Sequence, residues 1–157
     1  LLPEHHHRNA TIMQDLPHHY QATALASADS HVALKSGNMP EISTAAPAEF
    51  GGPGDLWSPE HLLVGTVANC FILTFRAIAR NSRLEWIHLE CSPVGVLERI
   101  EKITRFTKFT VNAKLTVPAG TDAEKALRLL HRAEAGCLIT RSLQADVHLV
   151  ADIIVEL

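Results

Sequence analysis

The sequence has no excess of basic residues. Fourteen lysines and arginines face seventeen acidic side chains, for a formal charge of −3. Nucleic acid and anionic membrane surfaces are therefore unpromising partners, because both need a positive field to hold them. The chain is also short of cysteine: Cys70, Cys91 and Cys137 are an odd number at wide spacing, with no CxxC pair. A secreted disulfide scaffold is excluded on that count, and free or redox-active thiols in a reducing compartment are expected. No signal-peptide pattern opens the sequence, so a cytoplasmic location is expected. There are no internal repeats and no second composition-defined region.

What is present suits one globular domain. Of 157 residues 46% are apolar and 20% charged, too apolar for a disordered chain. The first twenty residues hold five of the ten histidines, in "EHHHR" and "PHHY", and residues 1–17 are set apart as an N-terminal segment. Without a Cys or Asp at ligand spacing they read as a surface segment lacking ordered structure. Residues 18–157 then form a single domain, and no metal or cofactor is expected.

Along that domain "HHYQATALAS" and "HVALKSG" read as a hairpin turning near Asp29, and residues 41–57, rich in Gly and Pro, as a loop. Ser58 followed by Pro59 is a strong helix start: the hydroxyl caps free amides, and proline at the first helical position has no amide to leave unpaired. That helix should run to about Arg80. Residues 62–79 are nearly continuous apolar sequence, yet Asn69 and Arg76 interrupt them, which argues for a covered core helix over a membrane span. Residues 85–100 and 104–117 read as two long strands joined through "ERIEKI". In the second, Phe109, Val111, Ala113, Leu115 and Val117 share one face. Thr121 and Glu124 have capping-box spacing ahead of a helix over residues 121–143, with Cys137 facing inward and Gly136 inviting a break. Alternation from Val147 to Val155 closes the chain with a strand. The class is α+β, antiparallel strands with two core helices.

Two cysteines on two core helices carry the chemistry. "SPEHLLVGTVANC", with Pro59, Glu60 and Cys70, and "AEAGCLITRSL", with Ala135, Gly136 and Cys137, together resemble the OsmC/Ohr family of osmotically inducible and organic hydroperoxide resistance proteins. The resemblance spans roughly residues 18–157. It implies an OsmC-like fold, an intertwined homodimer with two active sites at its interface, and catalytic roles for Cys70, Cys137 and Glu60.

The implied reaction is thiol-dependent reduction of organic hydroperoxides. Cys70 would become a sulfenic acid and Cys137 would condense with it to a disulfide, reduced in turn by an external dithiol of lipoyl type. Helix geometry adds an independent constraint: ten residues rise about 15 Å, so Glu60 cannot touch Cys70 of its own chain. If the two share a site, one belongs to a second copy.

One departure from the family stands out. The resemblance implies an arginine beside the reactive thiol, and no arginine lies between Arg8 and Arg76. His61 and Arg141 are the candidates to replace it, while Cys91 reads as core packing. The same departure keeps an alternative open, a non-peroxidase member of the fold that binds an apolar ligand or senses redox state.

Overall fold

The computed structural model describes residues 13–157. The first histidine run and most of the segment expected at 1–17 lie outside the described residues. The chain divides into two units, one ending at Thr44 and the other running Ala45–Leu157.

The first unit is a three-stranded antiparallel sheet, β1 (Thr23–Leu25), β2 (Val32–Lys35) and β3 (Ile42–Thr44), in that spatial order. The hairpin turns at residues 28–30, around Asp29 as the sequence suggested. β3 lies where a loop is expected from the sequence. Three residues ahead of Ala-Ala-Pro are too few to show alternation, and pairing with β2 (Ala33 opposite Ser43) makes the strand.

The second unit carries the site. Residues 45–57 form a loop closed by the Ala45 N–H donating to the Trp57 carbonyl at 3.0 Å, with one 3-10 turn at Ala48–Phe50. Gly52 passes so close to the Ala46 carbonyl that no Cβ would fit there. The loop delivers the chain to α1 (Pro59–Asn81), whose cap is the buried Ser58 hydroxyl accepting from the His61 N–H at 3.1 Å. Val67, Phe71, Phe75 and Ala79, four apart, bury one stripe of α1 against the strand His88–Ile100 and the helix Ala123–Gly136. Burying each phenylalanine contributes about 1.5–3 kcal/mol. Thr66, Asn69, Leu73, Arg76 and Arg80 form the opposite, exposed stripe.

β4 (His88–Ile100) and β5 (Ile103–Val117) are antiparallel. β4 starts three residues later than expected and β5 one residue earlier, and in place of "ERIEKI" the connection is only Glu101 and Lys102, both at positive φ, a two-residue hairpin turn without its usual Gly or Asn. A register shift between Val96 and Leu97 leaves Thr107 without a partner. That extra residue turns Phe106 to the same face as Phe109, where the rings stack at 5.2 Å. Gly95 runs over both rings, and a Cβ there would meet each at 2.9 Å.

α2 (Ala123–Gly136) follows, capped by the Asp122 carboxylate accepting from the Lys125 N–H at 3.0 Å. The cap is one residue later than the Thr121 capping box expected. Cys137 is extended (φ −66°, ψ 112°) and separates α2 from a one-turn helix, α3 (Leu138–Arg141), so the helix expected over 121–143 breaks after Gly136.

The last strand, β6 (Asp146–Val155), corrects one expectation. It joins β5 in parallel, Ala113 opposite Ala151, so the sheet order β4-β5-β6 is mixed and not wholly antiparallel. The reason is the crossover: α2 carries the chain back along the sheet, so β6 starts again at the end where β5 began its pairing. The α+β class with core helices stands. The face Phe109, Val111, Ala113, Leu115 and Val117 is buried, as alternation suggested.

Candidate functional site: a thiol pair and an acidic cavity at two levels of α1

The break after Gly136 is what assembles the thiols. It turns Cys137 inward, 1% exposed, and places the first residues of α3 against the middle of α1. The half-buried Cys70 meets them there, beside the Cys137 thiol and with its Sγ 3.9 Å from Thr74 Oγ1. Burial works against a thiolate at Cys70. Hydrogen bonds from the Ile139 backbone, the Cys137 thiol, the Thr74 hydroxyl and the Leu138 backbone outweigh it and hold the thiol below its ordinary pKa of 9.0. At Cys137 the same closeness acts in reverse: burial, and the need to keep its proton while donating to Cys70, push it above that value despite hydrogen bonds from Thr140.

This pair divides labour as a nucleophile and a resolver would. Cys70 opens on a groove of about 390 Å³ lined by Thr66, Asn69, Leu73, Thr74, Leu138 and Ile139, none of them charged. Neither candidate cation is there. Arg141 ends α3 exposed, and His61 lies at the other end of α1. What sequence reasoning missed is the activating group, backbone N–H at Leu138 and Ile139. The Gly136-Cys137 break was the visible signal, but its consequence for Cys70 needed the packing of α3 on α1.

Glu60 sits in a separate place. With Trp57, His61, Val64, Gly65 and Ala68 it lines a cavity of about 590 Å³, walled on the other side by Cys91, Gly95, Leu97 and Phe106 and at the mouth by Glu49 and Phe50. Two side chains of the cavity stand out. Glu60 Oε2 is buried without a hydrogen-bond partner among the described residues. Cys91, half-buried on β4, is pushed up to about 12, first by burial and then by the nearby Cys137. It packs against the core as expected, yet it also faces this cavity. His61 Nδ1 lies 2.6 Å from the Ser58 hydroxyl. Because that oxygen already accepts the His61 backbone N–H, its own proton is available to Nδ1, which fixes the ring at the cavity edge.

Of the three expected site residues, then, the fold brings Cys70 and Cys137 together and leaves Glu60 two to three turns away along α1. Among the described residues no group of three His, Cys, Asp or Glu side chains is placed to hold a metal ion.

Comparison with known proteins agrees with this architecture. The model of the family described as OsmC-like protein matches residues 52–151. The protein YmaD of Bacillus subtilis, uncharacterised, is 28% identical over 127 residues, covering 79% of this chain and 84% of its own. An OsmC-like protein of unknown function from Vibrio cholerae superposes with a TM-score of 0.79 at 18% identity, covering 86% of this chain and 99% of its own. An organic hydroperoxide resistance protein OsmC from Legionella pneumophila superposes at 0.69 and 20% identity, covering 89% and 99%. With a family match over most of the second unit, and with the paired thiols on the two helices where the motifs placed them, the chain belongs to the OsmC-like protein family.

Proposed function

We propose that this chain is a thiol-dependent peroxidase that reduces organic hydroperoxides to alcohols in oxidative stress defence. The observation that carries the reading is the Cys70–Cys137 pair, adjacent and shifted in opposite directions. The Cys70 thiolate attacks the terminal oxygen of the hydroperoxide. The O–O bond breaks, the alkoxide takes a proton and leaves as alcohol, and Cys70 becomes a sulfenic acid. The Cys137 sulfur then attacks the Cys70 sulfur, hydroxide leaves with the thiol proton as water, and a disulfide forms. An external dithiol of lipoyl type returns both thiols at the cost of its own oxidation.

The apolar wall of the groove, Leu73, Leu138 and Ile139, favours an alkyl hydroperoxide over hydrogen peroxide. Glu60 enters as a residue of a second copy, since within one chain it faces a different cavity; a homodimer in the cytoplasm is the form proposed. Relatives of the same fold that bear the name organic hydroperoxide resistance protein support the reading. The test is consumption of dihydrolipoamide or dithiothreitol driven by cumene hydroperoxide. Turnover that disappears in Cys70→Ser is expected, and no turnover in the unaltered protein sinks the reading.

A second reading is favoured by one observation, that no lysine or arginine among the described residues lines the groove around Cys70. The chain would then sense redox state or bind an apolar ligand without turning over peroxide. Alkylation of Cys70 against pH separates the two: a midpoint clearly below that of a free thiol, about 8.5, supports the peroxidase, and one at or above it the alternative.

A further inference from the structure

We infer that Cys91 is a second resolving thiol, which attacks Cys137 in the Cys70–Cys137 disulfide and so returns Cys70 to the groove as a free thiolate. This role rests on the peroxidase reading of Cys70 and Cys137 and engages the thiol which that reading leaves unused. Three observations converge on it. Cys91 points inward from β4: it pairs with Ala113 on the buried face of β5 and packs against the core that α1 and α2 share. Cys137 enters the same core from the helices, because the break after Gly136 turns it inward. Cys137 is also the ionisable neighbour whose charge acts on Cys91, and it is the thiol that hydrogen-bonds Cys70. Cys137 is thus the neighbour that both other thiols share. All of these contacts lie within one chain and involve neither Glu60 nor the exposed stripe of α1.

Once Cys70 and Cys137 are joined, the Cys91 sulfur attacks Cys137 Sγ. The Cys91–Cys137 bond forms as the Cys70–Cys137 bond breaks, Cys70 leaves with the bonding pair as a thiolate, and the Cys91 proton passes to water. The chain keeps one disulfide and is neither oxidised nor reduced by the step. The leaving group sets its direction: Cys70, held below its ordinary value, is the better thiolate, while Cys91, pushed up to about 12, makes the more stable disulfide. The same raised value makes Cys91 slow to attack, so an ample external dithiol reduces the Cys70 bond first. The exchange acts when that dithiol is scarce, and it frees Cys70 for a second hydroperoxide. Core packing alone explains a small apolar side chain at position 91 but not a thiol set near the resolver. Direct attack of Cys91 on the Cys70 sulfenic acid fits less well, since Cys137 is the thiol in contact with Cys70.

Reduced, dithiol-free protein is titrated stepwise with cumene hydroperoxide, and peroxide consumed, intact mass and disulfide-linked peptides are measured. The unaltered chain is expected to take up about two equivalents, ending with a Cys91–Cys137 bond and one oxygen on Cys70, whereas Cys91→Ala should stop at about one, with a Cys70–Cys137 bond. Diamide, which joins thiols without peroxide, supplies a second readout on the unaltered chain. There a first-formed Cys70–Cys137 bond should give way to Cys91–Cys137 on standing, while the intact mass stays that of one chain. One equivalent in both proteins, with a lasting Cys70–Cys137 bond, overturns the proposal and leaves the peroxidase reading in place. No uptake in either protein sinks that reading instead. The diamide arm then decides the exchange by itself, and a Cys70–Cys137 bond that persists in it overturns the exchange too.

Discussion

The two functional levels of α1 are made from the same helix by different means. At Cys70 the polar requirement is met locally, by backbone N–H from a one-turn helix and by a neighbouring thiol, so an uncharged groove still favours a thiolate. At Glu60 it is left unmet: a carboxylate oxygen is buried in a larger, aromatic-walled space with nothing to bond. A site that satisfies its own charge is prepared for chemistry. One that leaves it open is prepared for a ligand or for a second chain.

The sharpest way to break the comparison is at the thiols. Cys70→Ser should lower peroxide-dependent dithiol oxidation by about a hundredfold or more, to background, because the attacking atom is gone. Cys137→Ser should instead leave the first, stoichiometric step and trap a sulfenic acid, visible as an added oxygen in the intact mass. Equal loss of the first step in both variants would erase the division of labour.

The pH dependence comes next in size. Lowered Cys70 should be alkylated with a midpoint below that of a free thiol, while Cys91 should resist until pH approaches 12. Peptide mapping after iodoacetamide at pH 8 should therefore find Cys70 modified and Cys91 intact. The sign follows from the thiolate being the nucleophile: a lowered value makes it available at lower pH, a raised one withholds it. Modification of Cys91 first would reverse the assignment.

Mixing chains tests whether the two levels meet across a dimer. If Glu60 of one copy serves Cys70 of the other, an inactive Cys70→Ser chain and an impaired Glu60→Gln chain should together recover roughly a quarter of the normal rate, since about half of all dimers are mixed and each of those regains one of two sites. No recovery after chain exchange would confine each level to its own subunit. The smallest effect is at the cap. Ser58→Ala should cost about 1 kcal/mol in denaturant unfolding, and it frees the His61 ring at the cavity edge without touching the thiols.

Much of this was legible in the residues because the signals were local. Ser58-Pro59 starts α1 where it was read, and Phe109 to Val117 bury the face that alternation assigned. The Gly136-Cys137 break was readable as well. The two-residue turn at Glu101 and Lys102 was not, since neither residue advertises the positive φ it adopts. Phe106 escaped too, because the unpaired Thr107 changes which way it points and a bulge leaves no mark in a hydrophobic pattern.

The sequence by itself determined the element types of the second unit, the core face of β5, and the candidacy of Glu60, Cys70 and Cys137, for these depend on periodicity, capping and motif spacing within one segment. Only the tertiary structure decided that β6 runs parallel to β5, that α3 rather than a side-chain cation meets Cys70, and that Glu60 faces a cavity of its own. Each of those depends on contacts between residues far apart in the chain, where direction and distance are set by packing.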